Sequence, residues 1–385
     1  MILALETSCD DTCAAVLDGA GRMRSNAISS QGVHDRFGGV VPEIASRKHL
    51  ELVNLVVAQA LADAGASLDD VELVGATRGP GLVGALLVGF ATAKALAAAR
   101  ELPFAAVDHL QGHVAANFIV GGGEGGSVAL GGADAGSRAR PRGGAQGEPV
   151  VGAAETAPFE PPFVCLIASG GHTLLAHVRE HDGFEVLGST LDDAAGEAFD
   201  KGARMLGLGY PGGAALERLA RDGDPAAFPF PAGGPRPGLG NARQAFAHGL
   251  DFSFAGLKTA LLYKVRELGG GELAAQAADP GGEPAAWAAD LAASFQAAIV
   301  ARLVERAARA LERAGLDRLA VGGGVAANGE LRRRLGELGV NLHVPVRALC
   351  TDNAAMIASA ARFAPRLAYP EYLPLDVYAT GERPW

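Results

Sequence analysis

The sequence predicts an α/β protein of two similar lobes with a cleft between them. Short apolar runs alternate with helical patterns before residue 120, and the same alternation returns after residue 161. The length of 385 residues leaves room for two or three folding units of about 150 residues each. Apolar residues make up 49% of the chain and charged residues 20%, so most of the chain is expected to fold.

The first lobe is expected to open with a hairpin. The apolar runs ILALE at 2–6 and CAAVL at 13–17 are separated by polar residues, and the turn Asp18–Gly21 follows them. The pattern then predicts, in order, a helix at about 42–64, a strand at 71–77, a helix at 82–99, a strand at 104–107 and a helix starting near His109.

The second lobe repeats this order in architecture but not in sequence. We expect, in order, strands at 163–168, 173–178 and about 184–189, several helices, a long helix at about 285–314, a strand at 319–323 and a helix beginning around Asn328. Between the lobes, residues 121–160 hold 12 glycines and 8 alanines, which predicts a disordered insert. The stretches 231–243 and 269–285 are expected to be long loops.

Composition limits the functional classes. The formal net charge of −10 provides no global positive field, so a nucleic acid would have to be held locally. The four cysteines form neither a disulfide framework nor the paired pattern of a structural zinc site, which favours a reducing cytosol. The acidic start of the chain, and Lys94 within the apolar stretch 82–99, predict neither a signal peptide nor a membrane span.

Three loops have sequence patterns that are typical of anion-binding sites. ETSCDDT at 6–12 offers hydroxyl groups for an anion and the carboxylates of Asp10 and Asp11 for a cation, although a polar turn accounts for it equally well. SGGHT at 169–173 lets the backbone approach a phosphate closely, although a tight hairpin is nearly as good an interpretation. VGGGVAAN at 321–328 leads into a helix and matches neither GxGxxG nor the P-loop pattern. Together the loops indicate a nucleotide site.

A pair of histidines has metal-ligand spacing. His109 and His113 are four residues apart and share one face if the segment is helical, while a surface helix is the alternative. Leu110 stands where a zincin protease needs glutamate, which disfavours peptide hydrolysis. A third ligand is expected from elsewhere. Asp352 in CTDNAAMIA is the candidate, with an ordinary helix N-cap as its alternative.

A further acidic segment could contact a sugar. DDAAGEAFDK at 192–201 and GYPGG at 209–213 place Asp200 where it could accept from ribose hydroxyls, with Gly213 leaving room for the ring. A solvated acidic helix is an equally good interpretation.

Ten motifs in order resemble one family, the tRNA threonylcarbamoyladenosine transferases, which comprise the bacterial TsaD and archaeal and eukaryotic Kae1 proteins. The resemblance covers most of 1–120, 162–228 and 252–363, whereas the insert at 121–160 and the extended loop at 231–249 depart from the family pattern. The motifs are ETSCDDT, GGVVPEIASRKHLE, RGPGLVGALLVGF, HLQGH, SGGHT, DDAAGEAFDK, GYPGG, FSFAGLKTAL, VGGGVAANGEL and CTDNAAMIA.

This resemblance implies a two-lobed actin-like ATPase (ASKHA) fold with duplicated βββαβα-type lobes and an interlobe cleft. In that fold the first lobe would comprise 1–120 and about 346–385, and the second lobe 161–345. The implied reaction transfers a threonylcarbamoyl group from threonylcarbamoyl-adenylate to the N6 amine of the adenosine 3′ of the anticodon, in tRNAs reading ANN codons, with AMP leaving. The implied setting is the cytoplasm.

The resemblance also implies the site. His109, His113 and Asp352 would bind one divalent metal, Fe(II) or Zn, and Asp10 is a candidate catalytic residue. An adenine nucleotide, as the adenylate, AMP or ATP, would occupy the cleft. The residues that would hold the phosphate and acyl group are Ile167, Ala168, Ser169, Gly170 and Gly171, and those that would hold the nucleoside are Asp200, Gly213 and Asn328.

The implied partners are tRNA, a TsaB-like paralogue on the N-terminal lobe and a TsaE-like ATPase. Two arginine-rich stretches, 302–318 and 332–334, could contact tRNA, but an ion-paired solvated face is the commoner meaning of such a pattern. The alternatives are a kinase or ATPase of the same fold, which would hydrolyse ATP without regard to threonine or tRNA, and a non-catalytic nucleotide-gated scaffold, which would not need the histidine pair.

Overall fold

The computed structural model describes residues 1–120, 127–129, 158–209, 211–231, 246, 249–269 and 286–379. Most of the stretch predicted to be a disordered insert, and most of the loops predicted at 231–243 and 269–285, lie outside these residues. Two described pieces of the insert differ from that prediction, because Ser127–Ala129 forms a strand and Phe159 is buried.

The described chain alternates strands with helices as the sequence predicts. The strands are β1 (Ile2–Glu6), β2 (Asp11–Leu17), β3 (Met23–Ser30), β4 (Leu73–Gly79), β5 (Phe104–Asp108), β6 (Ser127–Ala129), β7 (Phe163–Ala168), β8 (Thr173–Glu180), β9 (Gly183–Ser189), β10 (Arg318–Gly322) and β11 (Asn341–His343). The helices are α1 (Pro42–Asp63), α2 (Val83–Ala99), α3 (His109–Ala115), α4 (Ala195–Met205), α5 (Gly212–Ala220), α6 (Ala255–Glu267), α7 (Ala286–Ala314), α8 (Gly329–Gly336) and α9 (Ala354–Ala361).

The chain divides into two compact units. The first comprises Met1–Gly32, Val41–Pro158 and Asn353–Trp385, and the second comprises Val33–Val40 and Phe159–Asp352. The first unit is built on a sheet of order β5-β4-β1-β2-β3-β6, and the second on a sheet of order β11-β10-β7-β8-β9.

The two sheets share one topology. In each, the first three strands form an antiparallel meander, β1-β2-β3 or β7-β8-β9. In each, the first strand of the meander also pairs parallel with a fourth strand, which pairs parallel with a fifth. The prediction of an α/β protein with duplicated lobes is therefore confirmed.

The central strands are apolar because both faces of each sheet are covered. All residues of β1 and of β7 are buried, as expected for strands flanked by helices on both sides. In the first unit, α1 and α2 pack against the sheet, as does α9. In the second unit, α4, α6 and α7 enclose a core with β7 and β8. Each unit therefore has its own hydrophobic core.

The strand β3 is the third strand of the expected βββαβα lobe, although its residues, MRSNAISS, are mostly polar and form no apolar run. Ser25, Asn26 and Ser29 are nevertheless buried, and the Ser25 hydroxyl donates to Ala60 O of α1 at 2.6 Å. A hydrogen bond to a helix carbonyl thus replaces apolar packing at this strand.

One helix in the described part of the chain, α7, is long and apolar enough between Trp287 and Ala314 to cross a membrane. However, 67% of its most apolar window is buried inside the protein. Arg302 and Arg306 on this helix donate to backbone carbonyl groups of Ser253 and Gly249. These features are typical of the core helix of a globular unit.

Candidate metal centre and glycine-rich loops

The two histidines lie on a short buried helix. α3 begins immediately after β5, and the Asp108 carboxylate caps it by accepting from Leu110 N at 2.8 Å and Gln111 N at 3.1 Å. His109 is 5% exposed and His113 is fully buried, so the alternative of a surface helix is wrong. Their ring centroids lie 4.8 Å apart.

Asp352 completes a group that could hold a metal. The ligand atoms of His109, His113 and Asp352 all lie within 4.8 Å of one another. Asp352 is bonded to Asn353, whose side-chain oxygen accepts from Met356 N at 2.9 Å and caps α9. The alternative that Asp352 itself caps this helix is therefore wrong, since Asn353 does so.

Close packing of α9 against α3 fixes this arrangement. A Cβ atom on Gly112, between the histidines, would lie 2.7 Å from Ile357 Cδ1 and 3.3 Å from Met356 Cγ. The glycine in HLQGH thus lets α9 approach the helix that carries both imidazoles. Two imidazoles and one carboxylate form a mixed N/O donor set that suits iron or zinc.

A buried carboxylate orients His109. Glu6, at the end of β1, is fully buried, and its Oε2 lies 3.0 Å from His109 Nδ1 and 2.5 Å from Thr77 Oγ1. Its Oε1 accepts from Ser8 N. Because a carboxylate only accepts, His109 Nδ1 carries the proton and Nε2 keeps its lone pair for a metal. Sequence analysis did not find Glu6, since burial of a strand-terminal acid leaves no sequence signal.

Replacement of Glu6 by glutamine tests this orientation. Glutamine fills the same space but brings a donor group toward the Nδ1–H of His109, so we expect metal affinity to fall about 10–100-fold. Titration of purified protein with Zn²⁺ against a chromogenic chelator measures the change. Glu72→Gln, at a carboxylate that is 86% exposed, is the control. Unchanged affinity in the Glu6→Gln variant would show that Glu6 does not orient the ligand.

The hydroxyl groups of the ETSCDDT loop at 6–12 mainly contact other residues of the protein. The Thr7 hydroxyl donates to Ala85 O at 2.8 Å and accepts from Gly89 N at 3.1 Å, both in α2, which differs from the expected contact with an anion. The Ser8 hydroxyl lies 3.2 Å from His109 Nδ1. Asp10 is half-buried in the turn between β1 and β2, and its backbone carbonyl accepts from Gln31 N. Asp10 does not belong to the His, His, Asp group.

Two glycine-rich loops of the second unit converge at the end of β7. Ser169 O accepts from Gly196 N at 3.0 Å, so the SGGHT loop lies against the start of α4. Gly323 has φ +87°, and a Cβ there would lie 2.4 Å from Ala168 O. Gly170 and Gly171 are exposed, with no atom within 4 Å of a Cβ position. The loops thus leave open backbone where a strand ends, as an anion site needs.

Ile167 and Ala168 lie within the sheet. Both side chains are fully buried, so only their backbone groups could contact a ligand. Ser169 is buried, and its hydroxyl accepts from His172 N at 3.1 Å, which closes the turn.

Two of the predicted nucleoside residues, Gly213 and Asn328, lie at the starts of helices, and the third, Asp200, lies within α4. Asp200 Oδ1 accepts from Gly212 N at 2.9 Å and Gly213 N at 3.1 Å, which brings Asp200 and Gly213 together. Asn328 caps α8 by accepting from Leu331 N at 2.9 Å, and its amide group donates to Gln296 Oε1. These hydrogen bonds give both side chains structural roles in addition to any ligand contact.

A half-buried ion-pair network, not singled out from the sequence, joins α4 to α6. Asp193 accepts from Lys201 at 2.8 Å and from Lys258 at 2.7 Å. Burial opposes ionisation of Asp193, but the two ammonium groups outweigh it and hold its pKa below the ordinary value. The network fixes the start of α4, against which the SGGHT loop lies.

Several arginines of the two arginine-rich stretches have partners within the second unit. Arg332 donates to Ala326 O at 2.7 Å, and Arg333 pairs with Glu330 and Glu337. Arg302 is 7% exposed, and burial lowers its pKa to about 10. The guanidinium groups of Arg302 and Arg332 are thus held by backbone carbonyl groups, and that of Arg333 is paired with carboxylates at the surface.

The duplicated sheets and the His, His, Asp group define a two-unit α/β protein with a candidate metal centre. The sequence profile described as "TsaD: tRNA N6-adenosine threonylcarbamoyltransferase" matches residues 22–131 and 150–359. The chain belongs to this family.

Curated relatives agree over nearly the whole chain. The tRNA N6-adenosine threonylcarbamoyltransferase of Pelobacter propionicus is 44% identical over 387 residues, covering 99% of this chain and 97% of the relative. The protein of the same name from Symbiobacterium thermophilum is 46% identical, covering 94% and 90%. Among solved structures, (R)-2-hydroxyglutaryl-CoA dehydratase component A of Acidaminococcus fermentans gives a TM-score of 0.47 at 13% identity, covering 94% and 95% of the two chains.

Proposed function

We propose that this protein transfers a threonylcarbamoyl group from threonylcarbamoyl-adenylate to the N6 amine of the adenosine 3′ of the anticodon, in tRNAs reading ANN codons. AMP is the leaving group. The observation that carries the proposal is the family match, which spans 22–131 and 150–359 and includes all three residues of the candidate metal group. The proposed setting is the cytoplasm.

The donor set fits one divalent cation, Fe(II) or Zn. His109 Nε2, His113 and an oxygen of Asp352 would hold it. When bound, the cation supplies Lewis-acid stabilisation to phosphate or carbamoyl oxygens. Glu6 holds the proton on His109 Nδ1, and the buried surroundings keep both imidazoles in place.

The chain needs no covalent nucleophile for this reaction, because the donor is a mixed anhydride that is already activated. The remaining tasks are to orient the amine and to stabilise charge on the departing phosphate. The exposed backbone at Gly170 and Gly171 would bind the phosphate and acyl group, together with Ile167, Ala168 and Ser169. Asp200, Gly213 and Asn328 would hold the nucleoside of the adenylate or AMP. Asp10 is proposed as a catalytic carboxylate.

tRNA binding is proposed to be shared with partner subunits. The net charge of −10 provides no global attraction for tRNA, and in the described residues Arg302 and Arg332 are engaged in internal hydrogen bonds while Arg333 pairs with glutamates. A TsaB-like paralogue on the first unit and a TsaE-like ATPase are the proposed partners.

Two adjacent helices of the first unit present apolar side chains to solvent. Leu50 on α1 is 65% exposed, and Leu87 on α2 is 44% exposed. The helices approach closely at Gly84, where a Cβ would lie 2.5 Å from Ser46 Oγ. Leu50 follows Ser46 by one turn and Leu87 follows Gly84 by about one turn, so both lie near this contact. The pair supports an apolar docking face for the paralogue.

Leu87→Asp tests this face. A carboxylate at the centre of an apolar interface would be desolvated without a partner, so we expect the affinity for the paralogue to fall by at least about tenfold. The measurement is calorimetric titration with the purified paralogue. Tyr263→Asp, at a side chain of the second unit that is 64% exposed, is the control and should bind normally. Equal affinity of both variants would place the docking face elsewhere.

The reaction itself is tested by incubating the protein with threonylcarbamoyl-adenylate, tRNA and the partner proteins. Mass analysis of the digested nucleosides should show threonylcarbamoyladenosine, which a chelator should suppress and added metal restore. ATP hydrolysis that is independent of tRNA, without modified nucleoside, would instead identify an ATPase. Full-rate modification by the isolated chain would refute the sharing of tRNA binding with partners.

A further inference from the structure

The C-terminal segment 367–378, here called the C-terminal strap, is anchored in the core of the first unit. Leu367 and Phe104 exchange two backbone hydrogen bonds of 2.9 Å, which adds the strap to the edge of β5. Tyr372 is fully buried, with its ring centroid 5.2 Å from that of Phe104. Lys94 of α2 then donates to the carbonyl groups of Leu373 and Leu375, at 3.0 and 2.7 Å. The strap is therefore held along its length.

The strap ends against the last two residues of β4. Tyr378 N donates to Arg78 O at 3.1 Å, and Arg78 Nε donates to Asp376 O at 2.8 Å. A Cβ on Gly79, whose φ is +154°, would lie 2.4 Å from Tyr378 O and 2.8 Å from its ring. Any side chain larger than that of glycine at position 79 would collide with Tyr378, so Tyr378 packs closely against Gly79.

The Tyr378 hydroxyl reaches the cap of the histidine helix. It lies 2.7 Å from Asp108 Oδ2 and 2.9 Å from Gly79 O. Its single proton goes to the carboxylate, the charged and nearer acceptor. Asp108 Oδ1 accepts from the first amides of α3, so the two oxygens of this carboxylate join the strap to the helix that starts at His109.

We propose that Tyr378 is a positioning residue for the candidate metal centre, acting through the Asp108 carboxylate that caps the histidine helix. The proposal rests on the metal role given to His109 and His113 above. The hydroxyl fixes the plane of the carboxylate, which fixes the first turn of α3 and hence the imidazole of His109. Through this contact, the C-terminal strap influences the affinity of the candidate centre for a metal ion.

Tyr378→Phe keeps the ring and removes the hydroxyl, so the fold should persist. With Zn²⁺ as the probe, we expect affinity to fall about tenfold, as for loss of one hydrogen bond to a charged group. Tyr369→Phe is the matched control: Tyr369 is on the same strap and 43% exposed, so its variant should bind Zn²⁺ like the wild type. Equal Zn²⁺ affinity of Tyr378→Phe and wild type would overturn the proposal.

A double variant separates positioning from general loosening. Asp108→Asn keeps the capping oxygen but turns an amide N–H toward the Tyr378 oxygen, so each single variant removes the hydrogen bond that the hydroxyl donates to the carboxylate. We expect the Asp108→Asn/Tyr378→Phe protein to bind Zn²⁺ about as weakly as either single variant. Fully additive losses would show that Tyr378 does not act through Asp108. Failure of the wild-type protein to bind Zn²⁺ or Fe(II) at all would count against the proposed metal centre instead.

Discussion

His113→Ala is expected to abolish metal binding and threonylcarbamoyl transfer without unfolding the protein. His113 is fully buried and its ligand atom lies within 4.8 Å of those of His109 and Asp352, so its loss leaves two donors. Two donors do not hold a divalent cation tightly, and we expect transfer to fall by at least about 10³-fold. The measurements are metal content of the purified variant and incorporation of labelled threonine into tRNA.

His181→Ala is the control for that experiment. His181 lies in the turn after β8 and pairs with the Glu160 carboxylate at 2.7 Å, away from α3 in the sequence and in the other unit. This variant should keep wild-type metal content and turnover. Circular dichroism and thermal unfolding of both variants establish that they are folded. Wild-type turnover in the His113→Ala protein would refute the assignment of this residue.

Gly323→Ala is expected to destabilise the second unit and to impair nucleotide binding. The residue has φ +87°, and the added Cβ would lie 2.4 Å from Ala168 O and 2.6 Å from Ala168 C. These are backbone atoms of the sheet and cannot move aside easily. Strain at the left-handed conformation adds to the collision, so we expect a loss of at least about 2 kcal/mol in the free energy of unfolding. Denaturant unfolding and AMP titration measure the two effects.

Two neighbouring glycines separate these effects. Gly324→Ala places its Cβ no nearer than 3.8 Å to Thr351 Cγ2, so the variant should be as stable as the wild type. Gly171→Ala has open space around its Cβ and should also fold normally, while its AMP affinity should fall if this exposed backbone holds the phosphate. A Gly323→Ala protein with wild-type stability would show that the two loops do not require this close approach.

The sequence predicts the architecture well where burial is apolar. β1 and β7 stand out as short runs of buried residues, and the duplicated order of elements follows from them. β3 follows only from the βββαβα lobes that the family resemblance implies, because Ser25 is buried through a hydrogen bond rather than apolar packing, which no hydrophobic pattern records. Tertiary hydrogen bonds therefore stabilise an element such as β3, which the pattern of hydrophobic residues does not predict.

The site is predictable only in part. The spacing of His109 and His113 indicates a metal pair, but their burial depends on the packing of α9 against Gly112. Glu6 lies 103 residues from His109 in the chain, so no local pattern connects them. Distance in sequence also hides the contact between Asp108 and the C-terminal strap. Residue types and their spacing thus identify candidate metal ligands. The residues that orient those ligands can be identified only from the three-dimensional structure.

The most direct test of the account is a crystal of the metal-loaded protein measured at the absorption edges of iron and zinc. We predict one anomalous peak coordinated by His109, His113 and Asp352, at about 2.0–2.2 Å from the ligand atoms. A peak bound elsewhere, or one held by the two histidines with Asp352 remote from it, would contradict the proposed centre.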